Sequence, residues 1–183
     1  NYEWVNVTSE EFLEEIFEVA KGLIANGVEP GDRVILLAAT RYEWSLMDFA
    51  ISAAGAVLVP IYPSSSAAQI QWIVEDSGAV FAVTETGEHT DMMRNLVLDS
   101  EGNPRLVGSP TQLRRIVEIN SSGVDTLKFE GRGLDDVVVW ERIENTRSSD
   151  VASIVYTSGT TGRPKGCVQT HYNWLSQVRA LLT

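Results

Sequence analysis

The sequence predicts an α/β fold, a mostly parallel sheet with flanking helices. Continuous apolar runs at 33–39, 56–59 and 79–83 are typical of strands that are buried on both faces of a parallel sheet. Helical patterns alternate with these runs through short connectors, and this repetition implies right-handed crossovers. With 183 residues and an apolar fraction of 44%, the chain is long enough to bury a core and too apolar to be disordered.

The first predicted element is a helix that begins after Thr8 and ends near Asn26-Gly27, where a left-handed residue is readily accommodated. Thr8 with Glu11 fits a capping box. Apolar residues follow at helical spacing: Phe12, Ile16, Val19, Ala20 and Leu23. A turn at 30–32 then leads into the first strand.

Two further helices precede the second and third strands. Apolar residues between 44 and 54 predict a helix that Gly55 ends. A second capping box, Ser66 with Gln69, begins a helix that Ser77-Gly78 ends. Each strand is therefore expected to be followed by a helix that packs on the sheet.

The middle of the chain has weaker patterns. We predict a helix around 92–97, a turn at 99–104 and a strand at 115–119, whereas 134–143 shows no clean period. His89 stands alone among polar residues and is predicted to lie on the surface. No His, Cys and carboxylate cluster has the spacing of a metal site.

The strongest chemical signal is Thr157-Ser158-Gly159-Thr160-Thr161-Gly162-Arg163-Pro164-Lys165-Gly166, which follows the strand-like run 152–156. Its glycines free the backbone to approach a ligand, and its N–H groups, hydroxyls and lysine can form an anion-binding nest. The segment does not match the Walker A pattern: aligned from Gly159, Pro164 stands at the position of the second glycine, and Gly166 stands where the pattern has a hydroxyl residue. A Gly/Ser/Thr linker is disfavoured by the apolar runs on both sides.

The segment after this loop predicts a strand and then a helix. Cys167 is interpreted as a small strand residue, and Thr170 as the N-cap of the helix. An apolar stripe follows at Trp174, Leu175, Val178, Leu181 and Leu182. His171 has two interpretations: it fixes the start of the helix, which we favour, or it faces a ligand pocket.

Charge and cysteine content limit the function classes. The net charge of −11 argues against nucleic-acid binding. All 25 acidic residues precede Thr157, so the C-terminal end is the part of the chain where an anionic ligand meets the least repulsion. The single cysteine cannot form an internal disulfide, so a cytoplasmic location is expected. No apolar run approaches the roughly 20 residues of a membrane span, which leaves at most a peripheral membrane contact.

The segment from Tyr156 to Gly166 resembles the signature loop of the acyl-adenylate-forming (ANL) superfamily of acyl-CoA synthetases, luciferases and peptide-synthetase adenylation domains. Cys167 departs from that pattern, since the family more often has a small aliphatic residue there. Residues 33–84 resemble the N-terminal region of bacterial long-chain fatty-acid–CoA ligases in three motifs: Arg41-Tyr42-Glu43-Trp44, Ala53-Ala54-Gly55-Ala56-Val57 and Val59-Pro60-Ile61-Tyr62-Pro63-Ser64-Ser65.

This resemblance implies that residues 1–183 are a partial N-terminal AMP-binding domain, without the rest of the large domain and without the C-terminal small domain. It also implies a two-step reaction with ATP, Mg²⁺ and coenzyme A: a fatty acid becomes acyl-AMP, and the thiol then displaces AMP. The isolated chain is expected to be inactive. Two alternatives stay open, an enzyme that hands acyl-AMP to a carrier protein and a non-catalytic binding fragment with a relic loop. The oligomeric state is left open.

The resemblance also implies residue roles. Lys165 is the catalytic residue, because a fixed cation stabilises charge on the departing pyrophosphate. Thr157 is expected to reach Mg²⁺ or a phosphate oxygen, and Arg163 to be a solvated charge. The remaining nucleotide-binding residues are the hydroxyls of Ser158, Thr160 and Thr161 and the backbone at Gly159, Gly162 and Gly166.

Overall fold

The computed structural model describes residues 5–97, 106–107, 109–110, 112–157 and 163–182. The strands in this part of the chain are β1 (Arg33–Leu37), β2 (Val57–Ile61), β3 (Phe81–Thr84), β4 (Leu106–Val107), β5 (Ser109–Pro110), β6 (Arg115–Glu118), β7 (Val151–Thr157) and β8 (Lys165–Thr170). The helices are α1 (Ser9–Ala25), α2 (Tyr42–Ala53), α3 (Ala67–Ser77), α4 (Gly87–Val97), α5 (Gly123–Gly131), α6 (Val137–Asn145) and α7 (His171–Leu181), with a 3₁₀ turn at Ile119–Ser121.

Six of these strands form one sheet in the order β6-β3-β1-β2-β7-β8. All neighbours are parallel except β7 and β8, which form an antiparallel hairpin. The predicted α/β fold with a mostly parallel sheet is confirmed. The carboxyl ends of five strands therefore share one edge of the sheet, and β8 begins at that edge with Lys165.

Both predicted capping boxes are present. The Thr8 hydroxyl accepts a hydrogen bond from the Glu11 amide at 3.2 Å, and the Glu11 carboxylate accepts one from the Thr8 amide at 2.8 Å. Ser66 and Gln69 make the equivalent pair at the start of α3. Gly78 ends α3 at φ +60°, a left-handed conformation that favours glycine.

The sheet is covered on both faces, which explains why its strands read as continuous apolar runs. Residues Val34 to Leu37 of β1 have no exposed surface. Their side chains alternate between two core clusters, one formed with α1, α2 and α5 and the other with α3. Helix α3 consequently packs on the same face of the sheet as Tyr156 of β7.

The middle of the chain holds two helices that the sequence patterns did not predict. Helix α5 has a glycine at each end and packs against α1, where Gly22 lies directly against Leu127. Helix α6 buries only Val139 completely, so its apolar pattern is weak. The predicted helix at 92–97 and strand at 115–119 are present as α4 and β6. The predicted turn at 99–104 lies outside the described residues.

The last helix begins as predicted but does not bury its stripe. Thr170 caps α7 in a reciprocal pair with Asn173. The stripe residues are exposed in the described structure, from 49% for Trp174 to 82% for Leu182. Across the described segments, no helix is long and apolar enough to cross a membrane.

Candidate functional site

The predicted phosphate loop connects the two strands of the β7–β8 hairpin. The ladder pairs Val151 with Thr170 at one end and Thr157 with Lys165 at the other. The five loop residues between them, Ser158, Gly159, Thr160, Thr161 and Gly162, lie outside the described residues. Thr157, Lys165 and Gly166 are described, and they define the mouth of the loop.

The ladder places Thr157 directly opposite Lys165. Directly opposed residues of an antiparallel pair project to the same face with Cβ atoms about 5 Å apart, so the hydroxyl and the ammonium stem stand side by side. Both residues are exposed, and no carboxylate in the described segments forms a salt bridge with Lys165. This pair can therefore offer one cation and one hydroxyl to an anion at the sheet edge.

Gly166 has a steric role that requires no ligand. It pairs with Tyr156, and a Cβ atom at this position would lie 2.8 Å from Ile154 Cγ2 and 3.2 Å from Tyr156 Cζ. A side chain here would push Tyr156 or the strand aside. The predicted nucleotide contact of Gly166 stays a prediction, next to this packing reason for glycine.

Tyr156 fixes the end of β7 from the other face of the sheet. Its side chain is buried, and its hydroxyl donates to Asp76 Oδ2 of α3 at 2.7 Å. Burial, with the hydrogen bond to Asp76 second, raises the pKa of Tyr156, so it stays protonated as the donor. Because side chains alternate along a strand, Tyr156 faces α3 while Thr157 projects to the opposite face.

Tyr156→Phe is expected to destabilise the protein by about 1 kcal/mol, because the ring is kept and one hydrogen bond is lost. Tyr62→Phe is the matched control, since Tyr62 is 73% exposed and should change stability little. Urea denaturation of both variants measures the difference. Equal midpoints for the two variants would show that the bond to Asp76 does not stabilise the hairpin.

The other strand of the hairpin is held by a side chain that the sequence patterns did not single out. Trp72 of α3 donates its indole N–H to the carbonyl of Pro164 at 2.9 Å. The guanidinium carbon of Arg163 lies 4.4 Å from the centre of the Trp72 ring. Arg163 is exposed, as expected of a solvated charge, and in addition its guanidinium packs on the face of the Trp72 indole. The sequence feature that could have pointed to Trp72 is its place as an aromatic residue beside the apolar helix positions Ile70 and Ile73.

His171 is not brought near the mouth of the loop. It follows β8 at the end opposite Lys165, and five residue steps along an antiparallel strand span roughly 17 Å. Its backbone amide donates to the Asp150 carbonyl at 3.1 Å where α7 begins, and the role of its imidazole stays a prediction. It lines an open cavity of about 770 Å³ at the amino ends of β1, β2 and β7.

Two other sequence interpretations have different outcomes. Cys167 is an exposed residue of β8, as expected of a small strand residue. His89 is not the surface residue that was predicted, because it is partly buried and its Nδ1 atom is buried without a hydrogen-bond partner in the described structure. Its amide donates to the Thr86 hydroxyl at 3.3 Å near the start of α4.

The described segments hold no group of three or more His, Cys, Asp or Glu residues that could bind a metal ion. Thr157 fits Mg²⁺ only as a single oxygen ligand beside a bound polyphosphate. That is compatible with the chemistry of Mg²⁺, which keeps several waters and takes phosphate oxygens alongside few protein ligands.

The fold and the hairpin define an α/β protein whose β7–β8 hairpin presents Thr157 and Lys165 at the carboxyl edge of the sheet, and comparison with known proteins gives its family. The AMP-binding enzyme family matches residues 1–183, so the chain belongs to this family. It is 43% identical over 179 residues to the long-chain-fatty-acid–CoA ligase FadD15 of Mycobacterium bovis. It is 42% identical over 179 residues to the ligase of the same name in Mycobacterium tuberculosis.

These alignments cover 96% of this chain and 28% of each relative, so the chain spans little more than a quarter of the relatives' length. Among solved structures, the crystal structure of VinN matches with a TM-score of 0.72 at 22% identity, covering 96% of this chain and 40% of that one. At this identity the likeness to VinN supports the fold alone.

Proposed function

We propose that the parent protein, the longer polypeptide that the relatives' length implies, is an ATP-dependent long-chain fatty-acid–CoA ligase. The observation that carries the proposal is the pairing of Lys165 with Thr157 at the mouth of the loop. The 43% identity to a protein named as a long-chain-fatty-acid–CoA ligase supports the choice of substrate.

In the proposed first step, a fatty-acid carboxylate attacks the α-phosphate of ATP. The bond from the α-phosphorus to the bridging oxygen breaks, acyl-AMP forms, and pyrophosphate leaves with the negative charge. Lys165 holds the β- and γ-phosphates, where its ammonium group meets the charge that develops on the leaving group. The hydroxyls of Ser158, Thr160 and Thr161 and the N–H groups near Gly159 and Gly162 complete this cradle.

Thr157 is proposed to orient the polyphosphate from the opposite strand of the hairpin. Mg²⁺ supplies charge neutralisation of the phosphates when it is bound, and Thr157 is the hydroxyl that would face it. In the second step, the thiol of coenzyme A attacks the acyl carbonyl and AMP leaves. No described residue is assigned to that step.

The experiment that tests the proposal uses the parent protein, a long-chain fatty acid and ATP, followed by either coenzyme A or an acyl carrier protein. Acyl-dependent ATP–pyrophosphate exchange together with acyl-CoA formation is the expected result. Transfer to the carrier but not to coenzyme A would replace the proposal with the carrier-protein alternative. Absence of exchange with every acid tested would favour the relic loop.

The isolated 183-residue chain is expected to form no acyl-AMP and to bind ATP weakly. The resemblance places the adenine- and ribose-binding motifs beyond these residues. Chromatographic detection of acyl-AMP and calorimetric titration with ATP check both points, and turnover by the isolated chain would contradict the expectation.

A further inference from the structure

Helix α3 contacts both strands of the hairpin that carries Lys165. Trp72 contacts Pro164 and Arg163, which precede β8, and Asp76 contacts Tyr156, which belongs to β7. Positions four residues apart lie on one face of a helix, so a single helical turn supplies both contacts. The hairpin is thus held from one side by one rigid element.

The indole N–H of Trp72 satisfies a backbone group that the strand ladder does not reach. The ladder ends at Lys165, and Pro164 is the residue just outside it. Proline has no N–H to donate, so pairing cannot continue through it in the usual way. Its carbonyl accepts from Trp72 at 2.9 Å instead, across 92 residues of sequence.

The face of the same indole holds the preceding residue. Arg163 lies over the ring at 4.4 Å, within the range of a cation–π contact. Trp72 therefore fixes two successive residues, one through its N–H edge and one through its π face. The next residue in the chain is Lys165, so Trp72 constrains the backbone at the point where β8 starts, next to the ladder pair of Lys165 with Thr157.

Trp72 is itself well anchored. Its neighbours Ile70, Ile73 and Val74 are at most 4% exposed, and Trp72 packs against the same core cluster as a partly buried residue. The capping box of Ser66 and Gln69 fixes the start of the helix. Because the core and the capping box hold this helix in place, the contacts of Trp72 restrain the hairpin.

We propose that Trp72 is a positioning residue for acyl-adenylate formation, which holds Lys165 at the pyrophosphate through Pro164 and Arg163. The inference rests on the proposed function. Electrostatic stabilisation requires groups that are placed before the reaction, and a displacement of about 1 Å can cost up to about 100-fold in rate. The effect of Trp72 should therefore appear in the adenylation step and not in thioester formation.

The test uses Trp72→Phe in the parent protein, which keeps a ring under Arg163 and removes the N–H donor. Acyl-dependent ATP–pyrophosphate exchange at saturating ATP is expected to fall about tenfold, within the range known for small displacements. Transfer from supplied acyl-AMP to coenzyme A is expected to stay within about twofold, because it does not use Lys165. A merely structural role would slow both half-reactions together.

Trp140→Phe is the matched control, since Trp140 contacts Phe17 on the opposite core and not the hairpin. Arg163→Lys is a second variant, at an exposed position where a substitution does not threaten folding. It loses the planar stacking on Trp72, so the rate of ATP–pyrophosphate exchange should fall about threefold, while acyl transfer to coenzyme A should not change. Wild-type exchange in Trp72→Phe and Arg163→Lys, or an equal loss in both half-reactions, would overturn the proposal. If Lys165→Ala also leaves exchange unchanged, the proposed function of the loop fails instead.

Discussion

Lys165→Ala in the parent protein is expected to slow ATP–pyrophosphate exchange about 100- to 1,000-fold, the cost of removing one preorganised charge-stabilising group. This corresponds to roughly 2.7–4 kcal/mol of transition-state stabilisation. The described structure gives Lys165 no competing carboxylate, so its charge is available to a ligand. The loss should appear in kcat, because the charge on pyrophosphate grows as the reaction proceeds.

The control for this variant is Arg147→Ala. Arg147 is an exposed cation just before β7, at the end of the strand opposite Thr157, and six residue steps along a strand span roughly 20 Å. Its loss changes the net charge by the same amount and should leave exchange within about twofold, as expected for a distant surface charge. Unchanged exchange in Lys165→Ala would reject the assigned role.

Gly22→Ala is expected to destabilise the fold by about 1–3 kcal/mol, the usual cost of overpacking. A Cβ atom on Gly22 would lie 2.2 Å from the Leu127 carbonyl oxygen of α5, and that neighbour is backbone, which cannot rotate away. The helices α1 and α5 would have to separate. Alanine's helix propensity, about 1 kcal/mol better than that of glycine, offsets only part of this cost.

Gly133→Ala provides the matched control, because a Cβ atom there meets nothing within 4 Å. It is expected to change the free energy of unfolding by no more than about 0.5 kcal/mol. Urea denaturation followed by tryptophan fluorescence measures both variants. A Gly22→Ala midpoint equal to that of Gly133→Ala would show that the two helices do not pack as closely as described.

The sequence predicted the fold where local chemistry and burial agree. Capping residues at Thr8 and Ser66, and apolar runs in strands covered on both faces, are local signals, and the corresponding elements were found. Helices α5 and α6 were not predicted, because tertiary contacts rather than local patterns stabilise them. In α5, the terminal residues Gly123 and Gly131 disfavour a helix, and contact with α1 overrides that local preference.

The candidate site divides in the same way. Thr157 and Lys165 could be singled out from the sequence because the loop is contiguous, and the ladder adds that they stand opposite each other. Trp72 and Asp76 could not, since they lie 92 and 80 residues from their partners Pro164 and Tyr156. Only the crossover that places α3 against the hairpin brings these residues together.

A crystal structure of the parent protein with ATP or a non-hydrolysable analogue tests the central claim most directly. We predict a β- or γ-phosphate oxygen about 2.7–2.9 Å from Lys165 Nζ, the distance of a charge-assisted hydrogen bond, with Thr157 on the adjacent strand facing the same phosphates. A triphosphate bound elsewhere on the protein, with Lys165 in solvent, would contradict the assignment of this hairpin.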